Sequence, residues 1–177
     1  VDGGNRLVMR VDIGKYFAAI YDYDGSEWIQ KMKLQDADIY RGDITLSPNG
    51  QFAALTADDF DTVYIYELSS YTKLQTISRF CCDFDPLPFE PIIYNYGYSM
   101  SFSHDGTILA VSSWSIGLVD LYRFDPQKLK YSLMTDPIIV ANVTGLGHSV
   151  SVSANGKYIA VGAVSHPSGE LIEVGEF

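Results

Sequence analysis

Hydrophobic and polar residues alternate along much of this chain with a period of two. In runs such as Thr62–Glu67 and Leu118–Phe124 the alternation is typical of β-strands. No window of the sequence sustains the 3.6-residue apolar period of an amphipathic helix. The pattern therefore predicts an all-β protein.

Four segments of the chain repeat a short alternating strand, a turn and a second strand rich in Ala and Val. Their aligned glycines are Gly4, Gly50, Gly106 and Gly156, spaced by 46, 56 and 50 residues. The Asn-Gly and Asp-Gly turns favour tight hairpins because both residues can adopt positive φ. Third strands are predicted at 19–23, 62–67, 118–124 and 171–174, and fourth strands at 28–34, 74–80 and 130–134. Four antiparallel strands per unit of about 50 residues predict the blades of a β-propeller.

The repeat divides the chain into four consecutive units. Residues 1–43 form a first blade that lacks its innermost strand, and residues 44–99 form a second blade with a long aromatic and proline-rich insertion at 81–98. Residues 100–149 form the third blade and 150–177 a partial fourth. Propellers usually close with four to eight blades, and an open array leaves strand edges bare. We therefore expect part of a larger ring, completed by the rest of a longer chain or by a partner.

Two families of propeller repeats have similar motifs. The stretch from Ser103 to Val111 (SHDGTILAV) resembles the S-x-D-G-x-x-L-A signature of WD repeats, and Gly147-His148 resembles their Gly-His pair. The segments at 160–163 (AVGA), 169–174 (GELIEV) and 21–30 (YDYDGSEWIQ) resemble the FG-GAP repeats of integrin α-subunit propellers. Both resemblances imply a β-propeller, the first an intracellular scaffold and the second an extracellular adhesion module.

Composition and charge exclude several classes of function. The net charge of −10 argues against a nucleic-acid-binding surface, which needs clustered Lys and Arg. No apolar run approaches the roughly 20 residues of a membrane-spanning helix, so no transmembrane segment is expected. Hydrophobic residues make up 47% of the chain, enough for a packed core.

The insertion at 81–98 is the main candidate for partner binding. Its prolines limit flexibility, and its aromatic side chains offer large contact area at low entropic cost. The alternative is an ordered loop that covers its own blade. The candidate binding residues are Phe84, Leu87, Phe89, Tyr94, Tyr96 and Tyr98.

Two acidic motifs have both a functional and a structural interpretation. Arg41-Gly42-Asp43 is the tripeptide that integrins recognise, but Asp43 also shares the repeat position of Ser99 and Ser149, where a polar side chain can fix a loop by bonding to backbone. Asp58, Asp59 and Asp61 form an oxygen-rich segment that could hold Ca²⁺, although they lack the Asp-x-Asp-x-Asp-Gly spacing and also suit acidic turn chemistry. No metal or cofactor is otherwise indicated.

Cysteine usage and glycosylation bear on the cellular compartment. Cys81 and Cys82 can form a strained disulfide with each other, pair with another chain, or remain free thiols. Asn142-Val143-Thr144 is a glycosylation sequon, which is meaningful in a secreted protein. Together with the FG-GAP resemblance, the sequon favours an extracellular setting.

The sequence as a whole favours a non-enzymatic extracellular module that binds protein or glycan, mediates adhesion or assembles with other copies of itself. No nucleophile elbow or His-Glu-x-x-His motif is present, and nothing singles out a catalytic acid and base. Two alternatives stay open. They are an intracellular WD-like scaffold domain and a fragment of a propeller enzyme of the lactonase or glycosidase type, with ligands from blades beyond this chain.

Overall fold

The computed structural model describes residues 5–12, 16–34, 43–57, 62–79, 95–139, 145–164 and 172–174. Within these ranges all regular structure is β-strand, and the strands form four antiparallel sheets. The first sheet contains β1 (Arg6–Asp12), β2 (Tyr16–Tyr23) and β3 (Trp28–Leu34). The second contains β4 (Ile44–Leu46), β5 (Phe52–Ala57), β6 (Thr62–Glu67) and β7 (Thr72–Ser78).

The third sheet contains β8 (Tyr96–Phe102), β9 (Ile108–Ser113), β10 (Leu118–Asp125) and β11 (Lys130–Leu133), with a short β12 (Ile138–Ile139) that also pairs with β10. The fourth contains β13 (Ser149–Val152), β14 (Ile159–Gly162) and β15 (Ile172–Val174). In every sheet the strands pair in chain order, as in propeller blades. The predicted β-propeller fold is confirmed, and we call the four sheets the first to fourth blades.

Three features of the strands differ from the sequence-based expectations. The outer strand of the second blade ends at Ser78 instead of residue 80. β8 begins at Tyr96, inside the predicted insertion, and continues across the predicted boundary between the second and third units. The outer strand of the third blade is interrupted after Leu133 and resumes at Ile138, because this segment has two more residues than the facing part of β10, and Pro137 within it has no backbone N–H for pairing.

The repeated turns are fixed by a serine at the end of each innermost strand. The hydroxyl of Ser103 accepts the backbone N–H of Ile108 at 2.9 Å and donates to the carboxylate of Asp105 at 2.7 Å. Ser47 and Ser153 make the same pair of bonds in the second and fourth blades. The glycine that follows Asp105, Gly106, has a φ of 72°, which favours glycine.

The core lies between neighbouring blades, because the two faces of each strand pack against different blades. In β5, Ala54 packs toward the third blade, whereas Ala53 and Leu55 pack toward the first. In β9, Leu109 faces the second blade and Ala110 the fourth. The central strands are thus buried on both faces, and for this reason all six residues of β9 are buried.

Antiparallel order gives the array two opposite ends. One end carries the Gly50, Gly106 and Gly156 turns, and we call it the turn face. The other carries the turn at 114–117 between β9 and β10 and the connection at 145–148 that leads into β13, and we call it the connection face.

Candidate functional site

Three aromatic side chains meet on the connection face, where the third and fourth blades adjoin. The ring of Tyr98 lies 5.6 Å from that of Trp114 and 5.2 Å from that of His148, between centroids. The Tyr98 hydroxyl is 3.3 Å from Nε2 of His148. Tyr98 is 38% exposed, and Ile116, in the same turn as Trp114, is 37% exposed. We call Tyr98, Trp114, Ile116 and His148 the aromatic patch.

Local backbone geometry brings these rings together. Tyr98 lies in an irregular part of β8, where the register shifts between Tyr96 and Met100 and Gly97 has a φ of 82°. His148 follows Gly147, whose φ is 88°, and its backbone N–H donates to the carbonyl of Gly162 at 3.1 Å. These positive φ values turn the chain so that two separate segments present rings at one place.

The indole of Trp114 is oriented with its polar edge inward. Its Nε1 atom is buried and has no hydrogen-bond partner in the described part of the chain. The part of the ring that remains accessible is therefore apolar carbon. Such a surface is suited to contact with another apolar or aromatic group.

A buried polar network lies between the second and third blades near the same face. Asp120 on β10 is 0% exposed, and its Oδ2 accepts hydrogen bonds from the Arg79 guanidinium and, at 2.9 Å, from the Tyr96 hydroxyl. The Tyr96 hydroxyl also lies 2.7 Å from that of Tyr122. Oδ1 of Asp120 has no hydrogen-bond partner among the described residues.

Burial and charge in this network keep the tyrosines neutral. Burial and the neighbouring Tyr122 and Asp120 raise the pKa of Tyr96 far above its usual value. Burial likewise raises the pKa of Tyr122 to about 12. Burial alone would lower the pKa of Arg79, but its hydrogen bond to Asp120 and the charge of that carboxylate raise it overall. The network therefore contains one stable ion pair and two hydroxyl donors at neutral pH.

Asp120 connects the two chain segments that flank the predicted partner-binding insertion. Arg79 directly follows β7, and Tyr96 begins β8. Both donate to the same carboxylate oxygen, so the described residues on either side of 80–94 lie close together. Asp120 thus holds the two ends of this segment together.

Of the predicted site residues, three lie in the described ranges: Asp43, Tyr96 and Tyr98. Tyr98 lies in the aromatic patch, whereas Tyr96 is 1% exposed, which differs from the expectation of an accessible ring. Asp43 is half-buried, and its two carboxylate oxygens accept the backbone N–H groups of Ile44 and Met100. Burial raises the pKa of Asp43, although these two amides oppose the shift. The remaining predicted residues lie outside the described ranges: Arg41, Gly42, Asp58, Asp59, Asp61, Cys81, Cys82, Phe84, Leu87, Phe89, Tyr94 and Asn142.

Sequence reasoning missed Trp114, Arg79 and Asp120. A signal existed for Asp120, since it is an acidic residue inside the otherwise apolar start of β10. Trp114 gave a weaker signal as one of two tryptophans in the chain. Neither signal could show that β8, β9 and β13 bring Tyr98, Trp114 and His148 together, because these residues are distant in sequence.

The described residues show neither a metal-ligand cluster nor a membrane-spanning helix. Among the described residues, no three His, Cys, Asp or Glu side chains are grouped so that they could hold a metal ion. In the same part of the chain, no helix has the length and apolar character needed to span a membrane.

Comparisons with known proteins support the fold and give no family. No protein-family model matches the chain, and no curated protein matches it by sequence. Among solved structures, it is similar to a chain of the mitotic checkpoint complex with a TM-score of 0.63 and 10% identity, covering 98% of this chain and 47% of that one. It is also similar to Kuenenia stuttgartiensis hydrazine synthase, with a TM-score of 0.62 and 15% identity, covering 97% of this chain and 56% of that one.

A third similar structure is that of the RRP9 WD40 repeats, with a TM-score of 0.60 and 16% identity, covering 89% of this chain and 44% of that one. This chain therefore spans about half the length of the solved chains that it matches. At these identities the likeness concerns the fold alone. It supports a β-propeller with WD-like blades, and the more specific resemblance to FG-GAP repeats stays a prediction.

Proposed function

We propose that this chain is a non-enzymatic interaction module, a part of a β-propeller that binds a protein partner through its connection face. The observation that carries the proposal is the aromatic patch, in which the exposed Tyr98 contacts Trp114 and His148, and the exposed Ile116 lies in the same turn as Trp114. Two neighbouring blades contribute to it, so the patch depends on the assembled fold.

The chemistry of the patch favours a protein partner. Tyr and Trp rings give large contact area with few rotatable bonds, and such residues dominate the energetics of protein interfaces. The Tyr98 hydroxyl and the His148 imidazole add polar groups at the rim. A partner with an apolar anchor and a nearby hydrogen-bonding group fits this arrangement.

The buried polar network around Asp120 lies near the connection face and holds its residues in place. Asp120 fixes Arg79 and Tyr96, which flank the segment that contains the predicted binding residues Phe84, Leu87 and Phe89. An ordered base lowers the conformational entropy that is lost on binding. The aromatic patch carries this proposal, and the other predicted binding residues of the insertion stay a prediction for the same binding face.

An extracellular setting remains part of the proposal, and an intracellular scaffold is its alternative. The sequon at Asn142 supports the former, and the likeness to WD40 structures is compatible with the latter. Mass spectrometry of protein from its native source distinguishes them. A glycan on Asn142 or a disulfide between Cys81 and Cys82 would establish the extracellular setting.

The binding face is tested by site-specific photo-crosslinking in native extract. A photoreactive amino acid replaces Tyr98 on the aromatic patch or, as a matched control, Trp28 at the turn face, which is 46% exposed and packs against Tyr23 at 5.3 Å. We expect position 98 to crosslink a partner that position 28 does not.

The partner found in this way is then titrated against two double variants. Tyr98→Ala/Ile116→Glu should weaken binding by at least about tenfold, since interface anchors contribute about 2 kcal/mol or more each. Tyr23→Ala/Trp28→Ala should leave affinity unchanged. Equal affinity for both variants and the wild type would show that the partner binds elsewhere.

A further inference from the structure

The innermost strands of neighbouring blades are joined by a repeated bond between a side chain and the backbone. Oδ2 of Asp43, just before β4, accepts the backbone N–H of Met100 on β8 at 2.7 Å. One blade further, Oγ of Ser99 on β8 accepts the backbone N–H of Val150 on β13 at 3.2 Å. Asp43, Ser99 and Ser149 occupy the same position of the sequence repeat. In two successive interfaces, the side chain at this repeat position therefore accepts a backbone N–H of the following blade.

A second bond of this kind lies two residues further along. Oγ of Ser101 accepts the backbone N–H of Val152 at 3.0 Å. Ser101 pairs with Ala110 across the third blade, and Ser151 pairs with Ala160 across the fourth. Ser151 is thus the counterpart of Ser101, as Ser149 is of Ser99.

Small side chains lie beside these acceptors, on the blade face against which the following blade packs. Ala54 and Ala110 are both 0% exposed, because the following blade packs on them. Their counterpart Ala160 is exposed, and so are Ser149 and Ser151. Within the described part of the chain, neither of these two serine hydroxyls makes a hydrogen bond. The fourth blade therefore presents a receiving face like those of the second and third blades, but an uncovered one.

We propose that Ser149, Ser151, Ala160 and Gly162 form a docking surface for the innermost strand of a further, complete propeller blade. Two backbone N–H groups of that strand, two residues apart, donate to the hydroxyls of Ser149 and Ser151. The residues that carry these N–H groups have apolar side chains directed at the docking surface, as Met100, Val150 and Val152 do in the existing interfaces.

The existing interfaces show what the occupant of this surface has to supply. In both of them the N–H donors lie on an innermost strand, β8 or β13, that begins a blade. The occupant is therefore a four-stranded unit with an innermost strand of its own.

The experiment lengthens the chain by one repeat and asks whether the two serines then contribute to stability. Tyr122 pairs with Leu109 as Val174 pairs with Ile159, so Asp125 and Phe177 hold the same repeat position. A copy of residues 126–177 is therefore joined in register after residue 177, and a second copy of residues 126–139 follows it to supply the outer strand of the new blade. Ser149→Ala/Ser151→Ala is introduced in both the 177-residue chain and the lengthened chain. Ser99→Ala/Ser101→Ala is the matched control, because these serines are already bonded in both chains.

The expected result is a substitution effect that depends on chain length. In the lengthened chain, Ser149→Ala/Ser151→Ala should raise the unfolding equilibrium constant about tenfold, as expected for two lost hydrogen bonds. In the 177-residue chain the same change should have no measurable effect. The control should destabilise both chains by similar factors.

Hydrogen exchange provides the second measurement. The amides of the appended copy that correspond to Val150 and Val152 should exchange at least about tenfold more slowly than in the unfolded chain, and lose this protection in Ser149→Ala/Ser151→Ala. Two outcomes overturn the proposal. One is an unchanged stability in the lengthened variant while the control remains sensitive, and the other is an appended copy without protected amides. Neither outcome depends on the aromatic patch, so the proposed partner-binding function is tested separately.

Discussion

At Gly97 the backbone of the third blade approaches the second blade closely. The carbonyl of Gly97 accepts the Thr56 hydroxyl at 2.7 Å, and the residue has a φ of 82°. A Cβ at this position would lie 2.7 Å from Cγ2 of Thr56 and 2.9 Å from Cγ2 of Val63. Both of these neighbours are buried, so they have little room to move.

We predict that Gly97→Ala lowers the free energy of unfolding by about 3 kcal/mol, since it adds overpacking to the cost of a positive φ. Gly25→Ala is the control. Gly25 also has a positive φ, of 104°, but nothing lies within 4 Å of its added Cβ. It should cost only about 1 kcal/mol. Urea denaturation measures the free energy of unfolding of both variants. Equal losses would show that the close approach of residue 97 to Thr56 adds nothing to the cost of a positive φ.

Asp22 gives the stability a defined dependence on pH. Its carboxylate accepts two bonds from Arg6, at 2.7 and 2.9 Å, and one from Tyr71 of the second blade, at 2.7 Å. The hydrogen bond from Arg6 is the main reason that the pKa of Asp22 is lowered, with burial opposing and Tyr71 assisting. Because the folded state binds the proton less tightly than the unfolded chain, this stabilisation is complete above the unfolded pKa of about 4 and is lost as the pH falls through the lower folded pKa.

Asp22→Asn should therefore cost about 1 kcal/mol at pH 7, and its difference from the wild type should shrink below about pH 4. Urea denaturation at pH 7, 5 and 3 measures the difference. Asp136→Asn, at an exposed position after β11, is the control and should show no such convergence. A difference that stays constant with pH would contradict an ionic role for Asp22.

At the scale of elements, the outer end of β7 is joined to β10 by an asymmetric ion pair. The Asp120 side chain is 0% exposed, whereas that of Arg79 is 27% exposed. Removing the arginine leaves a buried carboxylate without its charged partner. Removing the charge of Asp120 leaves a guanidinium that can be hydrated.

We therefore predict that Arg79→Met lowers the free energy of unfolding by about 3 kcal/mol and that Asp120→Asn lowers it by about 1 kcal/mol. Both are measured by urea denaturation at pH 7. If Asp120→Asn were the more costly, the carboxylate would be needed for more than its bond to Arg79.

The elements that sequence predicted best are those fixed by local chemistry. The turns at Gly50, Gly106 and Gly156 follow from a Ser, an Asn or Asp and a Gly at fixed spacing, and each bond that closes them is local. The sequence could not predict the irregular start of β8, because the contact of Gly97 with Thr56 crosses between blades. The aromatic patch escaped prediction for the same reason, since only blade packing joins Tyr98 to His148.

At the scale of the whole molecule, the described residues form a row of blades in which each blade packs against its neighbours along the chain. The core cluster between the second and third blades contains Phe52, Phe102 and Tyr131, with ring centroids 5.6–6.5 Å apart. The third blade is packed on both faces, and all six residues of β9 are buried. The first blade exposes Leu7 and Met9, at 39% and 41%, on the face opposite the second blade.

In such an array, stability is a sum of blade terms and nearest-neighbour interface terms, so local opening begins at the ends. We predict that the amides of β9 and β10 exchange with solvent most slowly, and that those of β1 and β14 exchange at least about tenfold faster. Native-state hydrogen exchange with mass spectrometry measures these rates.

Ala110→Asp provides the perturbation that tests this order. Ala110 is 0% exposed between the third and fourth blades, so a buried charge there should weaken that interface by about 3 kcal/mol or more. Exchange should then accelerate strongly in β13 and β14 and little in β5 and β6, because the cluster between the second and third blades is left intact. Equal acceleration in all four blades would instead show that the array opens as a single cooperative unit.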